Sequence, residues 1–182
     1  MHKKENPWKK LSSKVIYKND WYYISEDQVI KPSGKEGIYA VVVTPPSVFA
    51  VALTEKDEIY FVGQFRYTSG KYSLELPAGS SDHEDLLEAC KRELKEETGL
   101  EAKKWTKIGS FHPFNGVGSE VSNVFLAQEL TEGEGYKQKE EGILEVIKIP
   151  FKKVLEMIKS GEIGDGQSIA AIMQAGLYLG KL

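Results

Sequence analysis

Apolar positions along the chain follow two rhythms. Short runs alternate or fill completely, and longer stretches repeat every three to four residues. The short runs predict strands. Residues 14–17 and 21–25 flank an Asn19-Asp20 turn, and 39–43 follow a Pro32-Ser33-Gly34 turn, so the N-terminal segment is expected to be β-rich. Residues 48–53 and 59–65 are apolar or β-branched and are separated by Glu55-Lys56-Asp57-Glu58, the pattern of a hairpin. Residues 107–111, 121–127 and 143–149 predict further strands; the last two can pair only if the polar stretch between them is a surface loop.

After a tight bend at Pro77-Ala78-Gly79, the period changes. Leu87, Cys90 and Leu94 recur at helical spacing, which predicts a helix from near Ser81 to Thr98. Ser81 and Glu84 have capping-box spacing, and Gly99 stands where a left-handed cap closes a helix. Two helices are expected near the C-terminus. Residues 151–159 are amphipathic, and 168–179 carry Ile169, Ile172, Met173 and Leu177 on a face suited to packing against a sheet. No internal repeat or low-complexity tract interrupts this order.

Composition narrows the class. With 182 residues, 41% hydrophobic and 28% charged, the chain suits one soluble globular domain large enough to bury a core. The longest apolar stretch, 39–53, is broken by Thr44, Pro45, Pro46 and Ser47, short of the roughly 20 apolar residues a membrane span needs. The N-terminus has lysines but no apolar signal core, so a cytoplasmic protein without a membrane partner is expected. A formal charge of -3 with dispersed basic residues gives no footprint for a nucleic-acid polymer, although a nucleotide-sized ligand remains compatible. The single cysteine, Cys90, excludes an internal disulfide and suits core packing more than a redox role. His2, His83 and His112 lack metal-ligand spacing.

The chemistry concentrates at the end of the first helix. Glu93, Glu96 and Glu97 stand at i, i+3 and i+4, crowded within about 100° of one face. Each such like-charge pair costs about 0.2 to 0.5 kcal/mol, and carboxylates in a last turn oppose the helix dipole by about 0.3 to 1 kcal/mol apiece. Arg92 can relieve Glu96 or Glu88, but the four-residue neighbours of Glu93 are Ala89 and Glu97. A divalent cation would supply the missing counter-charge; a solvated acidic helix end is the alternative.

Read outward, the chain gives Gly79, four residues, Glu84, seven residues, then Arg92-Glu93-Leu94-Lys95-Glu96-Glu97-Thr98-Gly99-Leu100. This resembles the Nudix box, in which glycine, glutamate, Arg-Glu, an apolar residue, Glu-Glu, glycine and an apolar residue form a loop-helix-loop. The family usually places five residues between the glycine and the first glutamate, so this chain has a loop shortened by one, and Glu84 is either the motif glutamate or a capping residue. The resemblance implies an α/β fold, a Nudix-type α/β/α sandwich with a mixed sheet, over 46–182, and a β-rich extension over 1–45.

It also implies roles. Glu93 and Glu97 would hold Mg2+, or Mn2+ in its place, with Glu96 as a further or water-mediated ligand and the carbonyl of Ala78 completing the set. Arg92 would orient the glutamates through salt bridges. Cleavage of a diphosphate needs cations at the phosphoryl oxygens and a base for the attacking water. In the ADP-ribose pyrophosphatase branch that base often lies on a Pro-Gly-rich loop ending in Ser-Glu. The run from His112 to Ser119-Glu120 looks like that loop, making Glu120 the candidate, against a structural residue before a strand; Glu140 and Glu141 compete for the role.

Gln64-Phe65-Arg66-Tyr67 and Glu75-Leu76-Pro77-Ala78-Gly79 look like the ADP-ribose and nucleotide-sugar branch. The branch implies a homodimer built through the N-terminal strands and a nucleoside diphosphate sugar as substrate. Arg66 and Glu75 are then phosphate-binding and pocket residues, or members of a structural ion pair. Trp21, Tyr22 and Tyr23 offer surface for stacking a base, with Tyr22 on the opposite strand face, or they pack in a core. The alternatives are a house-cleaning nucleoside triphosphate pyrophosphatase and a non-catalytic nucleotide sensor; a sensor should lack a box carboxylate, and none is missing.

Overall fold

A computed structural model of the protein describes residues 5–133 and 138–182, so His2 lies outside the described residues. Two compact units are present. One comprises Met1–Pro45 with Phe114–Glu120, the other Pro46–Pro113 with Val121–Leu182.

The first unit is an antiparallel sheet of β1 (Lys9–Lys18), β2 (Tyr23–Ile30) and β3 (Glu36–Val43), in the order β1-β2-β3. The Asn19 side chain accepts from the amides of Trp21 at 2.9 Å and Tyr22 at 2.8 Å. This side-chain turn keeps Trp21 and Tyr22 out of the strand, so the expected alternation of 21–23 does not apply. Trp21 is 75% exposed at the hairpin tip. The Pro32-Ser33-Gly34 turn forms as expected, with Gly34 at φ 79 and its amide on the Lys31 carbonyl at 2.8 Å. The segment 114–120 docks on β3. Val42 donates to Val117 O and accepts from Ser119 N, both at 3.0 Å, and the Tyr39 hydroxyl donates to Gly116 O at 2.8 Å.

The larger unit contains β4 (Ser47–Ala52), β5 (Glu58–Arg66), β6 (Lys71–Glu75), β7 (Ala78–Ser80), α1 (Leu86–Thr98), β8 (Leu100–Phe111), β9 (Ser122–Glu132), β10 (Glu145–Pro150), α2 (Phe151–Ser160) and α3 (Gly166–Leu179). One sheet runs β7-β4-β9-β8 and is mixed, because β4 and β9 are parallel; the other is antiparallel with order β10-β5-β6. Alternation along β4 sorts the core. Val48, Ala50 and Ala52 pack with Ala89, Cys90 and Leu94 of α1, whereas Phe49, Val51 and Leu53 join α2, α3 and the second sheet. This is the α/β sandwich expected, with helices on both faces of a mixed sheet.

Three expectations change. Residues 48–53 and 59–65 are not a hairpin: both edges of β4 are taken by β7 and β9, leaving only the bridge Leu53 to Ile59. The strands β9 and β10 do not pair, because β9 lies between β4 and β8 while β10 joins β5. On α3 the buried face is Ser168, Ala171, Ile172, Ala175 and Gly176, while Met173 and Leu177 are exposed. Small residues let the helix lie close to the sheet, and the large ones turn outward.

Candidate active site

The site begins with the ends of α1. Its N-cap is Asp85, whose carboxylate accepts from Leu87 N at 2.9 Å and Glu88 N at 3.3 Å. The expected Ser81–Glu84 box does not form, because Asp82 (φ 45) and His83 (φ 70) are left-handed and cannot continue into a right-handed helix. Glu84 instead donates its amide to Ser81 O at 2.7 Å in the preceding turn. At the other end Gly99 is left-handed (φ 74), and its amide caps Lys95 O at 2.8 Å, as the motif implied. Cys90 and Leu94 are fully buried against the sheet, and they fix the helix rotation that carries the glutamates.

Glu97 is buried and accepts from the Ala78 amide at 2.9 Å. Burial pushes its carboxyl up to about 8; the Ala78 bond and the Arg66 charge oppose this, while Glu93 and Glu141 add to it. Glu93 is also raised, again chiefly by burial, with Arg92 pulling the other way. The glycine at position 79 lies directly against this carboxylate cluster. A Cβ would lie 2.2 Å from the Glu93 carboxylate carbon, so any other residue would push that carboxylate out of its place.

Arg92 ties these parts together. Its Nη1 donates to Glu93 at 2.8 Å and Glu96 at 3.2 Å, its Nη2 to Ser80 O at 3.1 Å, and its Nε lies 3.4 Å from Glu84. Glu93 has no basic neighbour at helical spacing, yet the long arginine folds back onto its own sequence neighbour. Burial works against the Arg92 charge, but the surrounding carboxylates outweigh it and raise the guanidinium above its ordinary value. Among the described residues no three ligand-type side chains already converge as a metal cage; the guanidinium bridges Glu93 and Glu96 instead.

Arg66 grips Glu75 through Nε at 2.9 Å and through Nη2, and Glu75 is buried. The Glu75 bond raises the Arg66 pKa, with smaller contributions from Glu97 and Asp165, so the guanidinium shares the electrostatic environment of Glu97. Asp165 is a residue that the motif spacing does not mark. It caps α3 by accepting from Ser168 N at 2.7 Å, and an Asp three residues before a serine at a helix start was the signal available. The larger unit therefore brings together Ala78, Arg92, Glu93, Glu96 and Glu97, with Arg66 and Glu75 in the same field. Glu141 acts electrostatically on Glu93 and Glu97. Trp21 and Glu120 belong to the other unit, Glu120 closing the segment docked on β3.

Comparison with known proteins identifies the family. Residues 43–172 match the NUDIX domain. The chain belongs to the Nudix hydrolase family. Residues 8–42 of this Nudix hydrolase match the nucleoside diphosphate sugar hydrolase N-terminal domain. The chain is 32% identical over 166 residues to an ADP-ribose pyrophosphatase of Bacillus subtilis, covering 90% of each. It is 31% identical over 127 residues to a GDP-mannose pyrophosphatase of Escherichia coli, covering 64% of this chain and 65% of that one. A crystal structure of an ADP compounds hydrolase superposes with a TM-score of 0.84 at 18% identity, covering 99% of this chain and all of the other, which shows a shared fold. Among the described residues no helix is long and apolar enough to cross a membrane.

Proposed function

We propose that this Nudix hydrolase cleaves the diphosphate of ADP-ribose or another nucleoside diphosphate sugar, with Mg2+ or Mn2+, to a nucleoside monophosphate and a sugar phosphate. The observation that carries the reading is Glu97, a buried carboxylate whose charged form burial disfavours, in the electrostatic field of Arg66, whose Nη1 has no hydrogen-bond partner among the described residues. The first suits a cation and the second a phosphate. The match of 8–42 to a nucleotide-sugar hydrolase domain supports the sugar.

The donor set fits a hard divalent ion. All of its groups are oxygens, Glu93 and Glu97 lack enough nearby positive charge to restore their ordinary acidity, and the glycine at 79 lets the Glu93 carboxylate keep its place against β7. Glu93 and Glu97 would hold it, with Glu96 directly or through water and the Ala78 carbonyl as a further donor. Bound there, the ion would neutralise phosphoryl oxygens and lower the pKa of an attacking water. Arg92 fixes the carboxylates in place, and Arg66, oriented by Glu75, binds a phosphate through Nη1.

A glutamate outside the helix takes the proton from water. Glu141 is favoured because its charge already acts on Glu93 and Glu97. Glu120 is the second candidate. Trp21 is exposed enough to stack on a base, and the exposed apolar residues of β1 suit a homodimer of a cytoplasmic enzyme.

Incubation with a panel of nucleotide sugars and Mg2+ tests the reading. Monophosphate release is expected, and none from any member, with folded protein, rejects it. Pyrophosphate released from nucleoside triphosphates instead would favour the triphosphatase reading. Glu141→Gln should lower kcat by on the order of 100- to 10,000-fold, leaving a measurable residual rate, with Mn2+ affinity kept; if Glu120→Gln does so and Glu141→Gln does not, the base is Glu120. Sedimentation should give twice the 20.4 kDa chain mass.

A further inference from the structure

We infer that Tyr72, Gly63 and Glu145 form a clasp across the β10-β5-β6 sheet that fixes the reach of the loop bearing Glu141, and that Tyr72 is thereby a positioning residue for the reaction. The inference rests on Glu141 being the base. It begins from a glycine in the middle of a central strand, where glycine ordinarily weakens the sheet. Gly63 stands opposite Leu74 on β6 and Glu145 on β10. The Tyr72 side chain crosses β5 at this point, and its hydroxyl donates to the Glu145 carboxylate. A Cβ on Gly63 would lie 2.1 Å from the Tyr72 hydroxyl oxygen and 2.8 Å from Glu145 Cγ, so any other residue would push the ring or the carboxylate away.

Glu145 is the first residue of β10, so the clasp holds the point where the acidic loop re-enters the sheet. The backbone is pinned there too. Leu144 N donates to Gly63 O at 2.8 Å, Ile143 N to Gln138 O at 2.8 Å, and the Ile143 side chain is buried. Gly63 thus receives the loop end through its carbonyl and admits the tyrosine through its missing side chain. Between these anchors lies Glu141, the proposed base. Burial, together with the Glu145 bond and charge, pushes the Tyr72 hydroxyl up to about 12, so it stays a donor across the assay range. Only three residues lie between Glu141 and Glu145, and a base displaced by about 1 Å can lose on the order of 100-fold in rate.

The test is a double-mutant cycle in the full-length enzyme with Mn2+ and ADP-ribose. Tyr72→Phe keeps the ring and removes the hydroxyl. It is expected to lower kcat about tenfold with KM and Mn2+ affinity, read by electron paramagnetic resonance with the metal alone, unchanged. In a Glu141→Gln background the same change should cost nothing further, because the residue being positioned is gone. A side chain that merely supports the fold would lower kcat equally in both backgrounds, and that result overturns the clasp. So does wild-type kcat in Tyr72→Phe while Glu141→Gln is strongly slowed, an outcome that leaves the proposed base standing. If Glu141→Gln itself turns over normally, the base assignment falls and the clasp with it. Gly63→Ala should mimic Tyr72→Phe where it folds.

Discussion

Two arginines in the larger unit each hold a glutamate out of water, and they are committed to different degrees. Arg92 spends its nitrogens on Glu93, Glu96, the Ser80 carbonyl and, more loosely, Glu84. Arg66 fixes one carboxylate, Glu75, and is half exposed with Nη1 unengaged among the described residues. A guanidinium surrounded by acceptors can orient them but has little left for a ligand. One gripped along a single edge is oriented and still has donors to offer. The same residue type therefore serves as an internal strut in one place and as an anion receptor in the other.

The strongest way to break this picture is to remove the buried carboxylate on which the Arg66 charge acts. Glu97→Gln keeps the size of the side chain and its bond from Ala78, but not the charge. Turnover should fall by on the order of 100-fold or more, the scale of losing one group that manages developing charge; unchanged turnover would discard the metal role of Glu97. The arginines should then separate kinetically. Arg66→Ala is expected to raise KM roughly 10- to 100-fold, the worth of a charge-assisted bond to phosphate. Arg92→Ala should instead lower kcat by a comparable factor at nearly constant KM, because it disorganises carboxylates without touching the nucleotide. Steady-state kinetics decide: if both variants change KM alone, the distinction between strut and receptor is lost.

A smaller effect comes from protons. The Glu97 carboxyl is raised from 4.5 to about 8 in the folded protein. Between those values the native state keeps a proton that the unfolded chain has released, so stability of the metal-free protein should fall as pH rises through the window and level off above it. The slope from one such group is at most about 1.4 kcal/mol per pH unit. Urea midpoints in chelator, taken from about pH 5 to about pH 9, check this. Glu97→Gln should flatten the profile, and a stability that rises across the window would contradict the burial of Glu97.

What was legible beforehand follows from how locally each feature is determined. The face holding Glu93, Glu96 and Glu97 and the left-handed cap at Gly99 depend on helical spacing and one φ angle, and both are present. The partners of strands are decided by which edges are free, which alternation does not encode. The runs at 48–53 and 59–65 thus looked like a hairpin although β4 was already paired on both sides. The strand β7 has only three residues, too few for a period, and β8 starts at Leu100, seven residues before the apolar signal, through the exposed Glu101, Lys103 and Lys104. Glycine at 79 was legible as a motif letter, but its reason, the nearness of the Glu93 carboxylate, exists only in three dimensions.

The smallest effect concerns the loop that Arg92 ties down through Ser80. With one residue fewer than the family's usual spacing before Glu84, this loop turns into α1 through consecutive left-handed residues, Asp82 and His83. A left-handed conformation costs a residue with a Cβ roughly 1–2 kcal/mol, and aspartate tolerates it better than histidine. His83 is exposed. His83→Gly should therefore relieve strain, offset in part by the roughly 0.5–1 kcal/mol of extra freedom glycine gives the unfolded chain. The net expectation is a gain of up to about 1 kcal/mol in urea unfolding, with kcat and KM unaltered. His83→Val, which tolerates positive φ still less, should lose stability. If the valine variant is as stable as the wild type, the loop is not left-handed at this position, and the entry to α1 must be reached by another path.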